Sequence, residues 1–411
     1  MKRITPDHGE RPIGTVPGTQ DWLVDASARL DELEARLLDG FRGAGYRRIR
    51  TPILEYTELH QRKSGAGIVS KLFEVDGAGP ETVGLRPELT ASIVRAFAEA
   101  PECPSLPWRV CMSGPVFRRE SEPGGDSLRL REFTQVGVEL IGAGGPEADA
   151  EVIGLADRSL AEAGLPGATV RLGHVGLIVE ILGGTGLPSA SAAALIDVLS
   201  ASAAEGGRVV ALESALDRLA GWLRPGEEAE SILPAVRDDD ETGVDRLFRH
   251  LVPDVTGRRS GREIVHRIRR KWDLGHSLAE TLGRVRDQVH ALGELRGPAS
   301  EVLGRLEGPL ASVAPRSAAG LHELVDHLGR EGIEPGRIEL DLGFGRGIGF
   351  YSQMIFELVV ATESGPVEVC GGGRYDGLAQ VLGSDRDDRG VGFAFGLERL
   401  AALAVPRRSR P

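Results

Sequence analysis

The period of the hydrophobic pattern changes twice along this chain, and that change constrains the fold most. Strand-like runs occupy Tyr46–Pro52, Val83–Leu85, Trp108–Phe117 and Arg131–Ile141. From about 176 to 330 the text is mostly helical, with Arg/Glu/Leu periodicity interrupted by Gly and Pro. Strands then return at Ile338–Leu342, Gln353–Val360, Val367–Val369 and Gly390–Phe395. Strands at both ends around a helical middle predict one α+β domain, residues 1–175 and 335–411, holding a helical insertion over 176–334. Asp25 to Gly45 reads as an amphipathic helix, with Leu30, Leu33, Leu37 and Phe41 on one face. Helices are also expected at Ala91–Glu99 and Glu147–Ala163. In the 131–141 run, Phe133, Val136, Val138 and Leu140 are read as one side of an antiparallel strand with a polar opposite face.

Composition narrows the class further. The 411 residues carry 49 Lys plus Arg against 61 Asp plus Glu, a net charge of −12, which argues against indiscriminate binding to a nucleic-acid backbone. With 41% apolar and 27% charged residues the chain reads as globular rather than disordered. Nearly all basic residues are Arg; the lysines are Lys2, Lys63, Lys71 and Lys271. Three widely spaced cysteines without a CxxC pair signal neither a disulfide framework nor a zinc cluster. The start has no apolar h-region and no window nears eighteen uninterrupted apolar residues, so a cytoplasmic protein with no membrane partner is expected.

Three polar clusters could carry chemistry. Phe117-Arg118-Arg119-Glu120, a Gly-rich loop, then Arg129, Arg131, Gln135 and Glu139 would bring Arg118 and Glu120 beside Gln135 and Glu139 on one sheet face. Burying such charges together is costly unless they pair or hold a ligand, and a solvated polar face is the plainer alternative. Leu85 to Thr90 is the second cluster: Thr90 suits a helix N-cap, and Glu88 could grip an ammonium group. The third runs from Gly343 to Tyr351, where alternating glycines would let a ligand approach the backbone near Arg346. Gly371–Asp376 and Gly390–Arg399 follow, the latter reading as strand–turn–helix with Arg399 over an open sheet floor. No dinucleotide fingerprint and no phosphate loop occurs, so a bound nucleotide would be held by arginines on a sheet. His174, in Gly173-His174-Val175-Gly176, has no Ser or Cys partner and reads as a structural hydrogen bonder.

In this order, Arg50-Thr51-Pro52, Phe117 through Glu139, Arg346 through Glu357, Gly371–Asp376 and Gly390–Arg399 resemble the class II aminoacyl-tRNA synthetase catalytic fold, in its histidyl branch. The resemblance covers nearly everything outside 176–330. It implies an antiparallel sheet flanked by helices and a homodimer through the first motif. It places Arg118, Glu120, Arg129 and Arg399 at ATP-gripping positions and Arg346 at the catalytic arginine position. It places Glu88, Thr90, Gln135, Glu139 and Tyr351 at amino-acid-binding positions, and no metal ligand in the protein.

Two families share this fold. Histidyl-tRNA synthetases append an anticodon-binding domain, whereas twelve residues follow Arg399 here, so tRNA is not an expected partner. The other is the regulatory subunit of ATP phosphoribosyltransferase, which works with a short-form catalytic subunit at the first step of histidine biosynthesis. Glu132 to Gly142, Ala148 to Ile153 and Leu172 to Gly176 are similar to that family. Gly349 and Phe350 stand where the synthetase signature has Asp and Tyr. The resemblance therefore favours a non-catalytic regulatory subunit needing no cofactor, with a histidine or other amino-acid ligand in its pocket. The alternative is a stand-alone enzyme using ATP and Mg2+, with Arg118 and Arg346 catalytic, to make an aminoacyl-adenylate. An interaction module with an empty pocket is the third reading.

Overall fold

The computed structural model describes residues 14–64, 71–76, 81–102, 104–119, 130–184, 280–307, 314–343, 350–386 and 389–404, together with 213, 216, 217 and 312. Among these are twelve strands and ten α-helices, which include the expected elements in the expected order, with differences that have local causes.

Helix α1 (Val24–Gly43) buries Leu30, Leu33, Leu37, Leu38 and Phe41, the stripe expected from the sequence, and Gly45 ends it at φ +89°. Strand β1 (Arg47–Arg48) is much shorter than the expected Tyr46–Pro52. Ile49 still donates to Cys111 O, but the carbonyls of Thr51 and Pro52 turn to the guanidinium of Arg86, at 3.0 and 3.2 Å, and leave the ladder. A small antiparallel sheet follows, β2 (Leu54–Tyr56), β3 (Phe73–Val75) and β4 (Val83–Leu85), with helix α2 (Thr57–Ser64) between its first two strands. Helix α3 (Thr90–Glu99) is bound to this sheet by a bidentate pair from Arg95 to the buried Glu55, at 2.9 and 2.8 Å.

The main sheet has nine strands among the described residues. Its order is β1, β5 (Trp108–Phe117), β6 (Glu132–Ile141), β12 (Gly390–Gly396), β11 (Gly365–Arg374), β10 (Met354–Thr362), β7 (Thr169–His174), β9 (Ile338–Asp341) and β8 (Arg296–Pro298). All neighbours run antiparallel except β1–β5 and β7–β9. The late strands sit between early ones: β12 pairs with β6 and β10 with β7. Strand β8 and helix α8 (Pro315–Arg330) lie within 176–334, yet β8 joins the sheet edge and α8 packs on α4 (Pro146–Glu162). The helical text after 176 is visible as α5 (Val175–Gly184), α6 (280–293), α7 (Ala299–Leu306) and α8. Most of 185–279 lies outside the described residues. Two short helices, α9 (Leu378–Val381) and α10 (Leu397–Leu403), complete the order.

Both faces of the sheet are covered. Val136, Val138, Leu140 and Phe393 join the larger core with α1, α4 and α5. Val110, Met112, Val116 and Ile141 join a smaller core with Ile93, Val94 and Phe97 of α3. The second face of β6 does carry Gln135 and Glu139, but it is not solvated: Val136 to Ile141 are all buried, because α3 covers that face. Phe133, an odd-numbered position, shares that second face with Gln135 and Glu139.

Candidate functional site

The smaller core carries the polar residues. Gln135 and Glu139 stand opposite Gly114 and Val110 on β5. The turn 86–89 and the start of α3 cross above them. Arg86 anchors that turn: wholly buried, it donates to Pro115 O at 2.9 Å and to the Thr51 and Pro52 carbonyls. Gly114 is required beneath it, since a Cβ there would collide with the guanidinium.

Thr90 does not cap α3, as the sequence suggested; the helix starts at Thr90 itself, with Leu89 at the N-cap position. The Glu88 carboxylate instead accepts from Ala91 N at 3.1 Å, answering one of the unpaired amides of the first turn. Freed from capping, the Thr90 side chain hydrogen-bonds the Glu139 carboxylate. Tyr375 OH donates to Glu139 Oε2 at 2.5 Å, and Leu89 N donates to Gln135 Oε1 at 3.1 Å. Glu139 reaches this position because Gly392, its partner on β12, has no side chain; a Cβ there would overlap the carboxylate.

Burial drives the Glu139 carboxyl up to about 7, against the lowering effect of its bonds to Thr90 and Tyr375 and of Lys63. Glu88 behaves oppositely. Burial would raise it, but Lys63 and His60 beside it, with the Ala91 amide, hold it below the ordinary carboxylate range. Lys63 Nζ lies 2.8 Å from Glu88 Oε2 and 3.7 Å from the centre of the Phe350 ring, its side chain wholly buried. Burial lowers its pKa against the raising effect of Glu88. Giving up the proton would strand Glu88 as a buried, unpaired charge, which keeps the pair ionic. His60 Nδ1 is 3.8 Å from Glu88 Oε1, and burial pushes this imidazole toward its neutral form. Its Nε2 is buried with no hydrogen-bond partner among the described residues. Phe350 closes the group against Tyr351 and Tyr375, with ring centres 4.4 and 6.1 Å away. Tyr351 lies over Gly373, where a Cβ would meet its ring at 2.8 Å.

Five residues singled out from the sequence, Glu88, Thr90, Gln135, Glu139 and Tyr351, thus meet at one place. Arg118 lies at its edge, donating to Pro87 O at 3.0 Å and standing 5.1 Å from the Phe133 ring centre. Arg399 reaches β11 farther along, donating to Glu368 O at 3.0 Å; the expected strand and helix are there, but β12 runs directly into α10 with no turn between them. Glu120, Arg129 and Arg346 lie outside the described residues. Among the described residues no group of three or more His, Cys, Asp or Glu side chains gathers to hold a metal ion. His174 is structural, as expected, though no turn holds it: β7 runs directly into α5, and the buried Nδ1 accepts from Leu177 N at 3.2 Å. Burial lowers its pKa to about 4.

The roles of Lys63, His60 and Tyr375 were not read from the sequence. The available signal was Lys63 itself, one of four lysines in a chain that otherwise uses arginine. The Gly371–Asp376 cluster also differs from expectation, because β11 continues through Gly371, Gly372 and Gly373 to Arg374. Arg374 is wholly buried and pairs with Asp149 at 2.5 Å and Asp376 at 2.9 Å, fixing the start of α4 to the sheet.

The family described as histidyl-tRNA synthetase matches residues 18–233 and 241–400. The ATP phosphoribosyltransferase regulatory subunit of Moorella thermoacetica is 33% identical over 389 residues, covering 95% of this chain and 81% of that protein. A histidine–tRNA ligase of Pyrococcus horikoshii is 30% identical over 392 residues, covering 95% and 75%. The crystal structure of an ATP phosphoribosyltransferase regulatory subunit/histidyl-tRNA synthetase from Bacillus halodurans shares the fold. Its TM-score is 0.65 at 22% identity, over 98% of this chain and 84% of that one. A histidine–tRNA ligase subunit from Alicyclobacillus acidocaldarius does so with a TM-score of 0.58 at 22% identity, over 96% and 98%. With its sheet order, its clustered pocket residues and these relatives, the chain belongs to the histidyl-tRNA synthetase family.

Proposed function

We propose that this chain is a non-catalytic regulatory subunit of ATP phosphoribosyltransferase. As a homodimer it assembles with a short-form catalytic subunit, holds it active and takes part in its histidine feedback. The observation that carries this reading is Phe350. Where the synthetase signature has a tyrosine, an apolar ring packs between Tyr351 and Tyr375 and offers no hydroxyl to a ligand. The similarity to the Moorella thermoacetica regulatory subunit supports it. Feedback is then an allosteric coupling between this subunit and the catalytic chain. Reconstitution tests it: purified chain should raise the rate of a short-form catalytic subunit and change its inhibition by histidine. An unchanged rate and unchanged inhibition refute it.

A second reading is favoured by the meeting of Glu88, Thr90, Gln135, Glu139 and Tyr351 in one pocket. It makes the chain an amino-acid-activating enzyme using ATP with Mg2+, in which Arg118 and Arg346 stabilise charge at the reacting phosphate. It predicts pyrophosphate exchange dependent on one amino acid and abolished by Arg118→Ala. Silence across an amino-acid panel removes it.

A further inference from the structure

The two carboxylates and the Gln135 amide oxygen of the pocket are already engaged by the chain itself. Glu139 is bonded by Tyr375 and Thr90, and Gln135 Oε1 by Leu89 N. Glu88 is bonded by Ala91 N on one side and carries the Lys63 ammonium at 2.8 Å on the other. That ammonium lies between a carboxylate and an aromatic face, 3.7 Å from the Phe350 ring centre, with its side chain wholly shielded from solvent. Carboxylate below and ring above is the arrangement by which a protein recognises an ammonium ligand. Here the ammonium is carried by helix α2 of the same chain, so it competes with a diffusing amine as an intramolecular group at high effective concentration.

We propose that Lys63 is an internal latch on an ammonium subsite: it fills the place between Glu88 and Phe350 that an amine-bearing ligand would take, and so excludes free amino acids from this pocket. Removing Lys63 without replacing its charge turns the pocket into an amino-acid site. Glu88 is then a buried carboxylate with no cation, and an incoming α-ammonium supplies one. This goes beyond the regulatory reading and rests on it only in one consequence: histidine acts on the assembled complex at some site other than this pocket.

The test is calorimetric titration with L-histidine and with its des-amino analogue, 3-(imidazol-4-yl)propanoate. The unmodified chain, Lys63→Met, Lys63→Arg and Lys63→Met/Glu88→Gln are compared, each checked for folding by circular dichroism. L-histidine should bind Lys63→Met more tightly than the unmodified chain by roughly 10- to 100-fold, the worth of a hydrogen bond to a charged group. The des-amino analogue should show no such gain, and neither Lys63→Arg nor the double variant should gain histidine binding. The proposal is overturned if the unmodified chain binds L-histidine as tightly as Lys63→Met, or if folded Lys63→Met gains nothing. Should Lys63→Met not fold, labelling of the unmodified chain with an amine reagent decides. Lys63 staying unlabelled with and without L-histidine supports the latch, and histidine-induced labelling overturns it. Reconstitution reads the regulatory role on the unmodified chain, and titration reads the latch on the variant, so either can fail alone.

Discussion

Glu139→Gln gives the sharpest stability prediction from the pocket. In the folded chain the Glu139 carboxyl titrates at about 7, against 4.5 for an ordinary glutamate, because burial disfavours its charged form more than Thr90 and Tyr375 favour it. Between those two values the folded chain holds a proton that the unfolded chain has released. Stability therefore falls as pH rises through the window, at about 1.4 kcal/mol per pH unit, or about 3 kcal/mol across it. Glutamine keeps an acceptor for Tyr375 and the shape that fits against Gly392, and it carries no charge at any pH. The variant should gain about 3 kcal/mol relative to the unmodified chain on going from pH 4.5 to pH 8. Urea unfolding of both proteins at each pH, at one protein concentration, measures that difference and cancels the titration of every other group. An equal stability difference at the two pH values would refute the placement of Glu139 as a buried, protonated group.

Two further outcomes are expected. His174 is neutral and accepts from Leu177 N, with its pKa lowered from 6.5 to about 4, so the unfolded chain binds the extra proton and stability falls as pH drops through that window. His174→Asn should lose about 3 kcal/mol less than the unmodified chain between pH 7 and pH 4, by the same urea measurement; an identical acid loss contradicts this. Arg374→Met leaves Asp149 buried without its cation and should cost about 3–5 kcal/mol, part of which Arg374→Met/Asp149→Asn recovers. A double variant no more stable than the single one would show that the pair is not the source of the loss.

Local pattern made the secondary structure legible, and long-range pairing hid the rest. Helix α1 was readable because its leucines alone set the buried stripe, and β5 because an uninterrupted run needs no partner to be recognised. Strand β1 shrank because Arg86, more than thirty residues away, captures the carbonyls after it. The polar face of β6, with Gln135 and Glu139, is present but buried because α3 covers it, which no periodicity within β6 reports. In the pocket, Glu88, Thr90, Gln135, Glu139 and Tyr351 were identifiable through the family resemblance, but Lys63, His60 and Tyr375 beside them were not. Lys63 follows Arg62, which is exposed and pairs with Glu58 at 2.5 Å, and on the page the two look alike. Only the fold reveals that Lys63 turns inward to Glu88, 25 positions later. A glycine misled in the same way: Gly373 looks like a loop former, yet it lies inside β11 because Tyr351 needs its space, as Glu139 needs that of Gly392 on the expected strand β12.

The regulatory assignment is tested most directly by mixing this chain with a short-form ATP phosphoribosyltransferase catalytic subunit. Phosphoribosyl transfer is then followed as the chain is titrated in, with and without histidine. The account predicts a rate that rises to saturation at a fixed ratio of the two proteins and a histidine response that differs from that of the catalytic subunit alone. A rate and a histidine response indifferent to the chain at every ratio would contradict it.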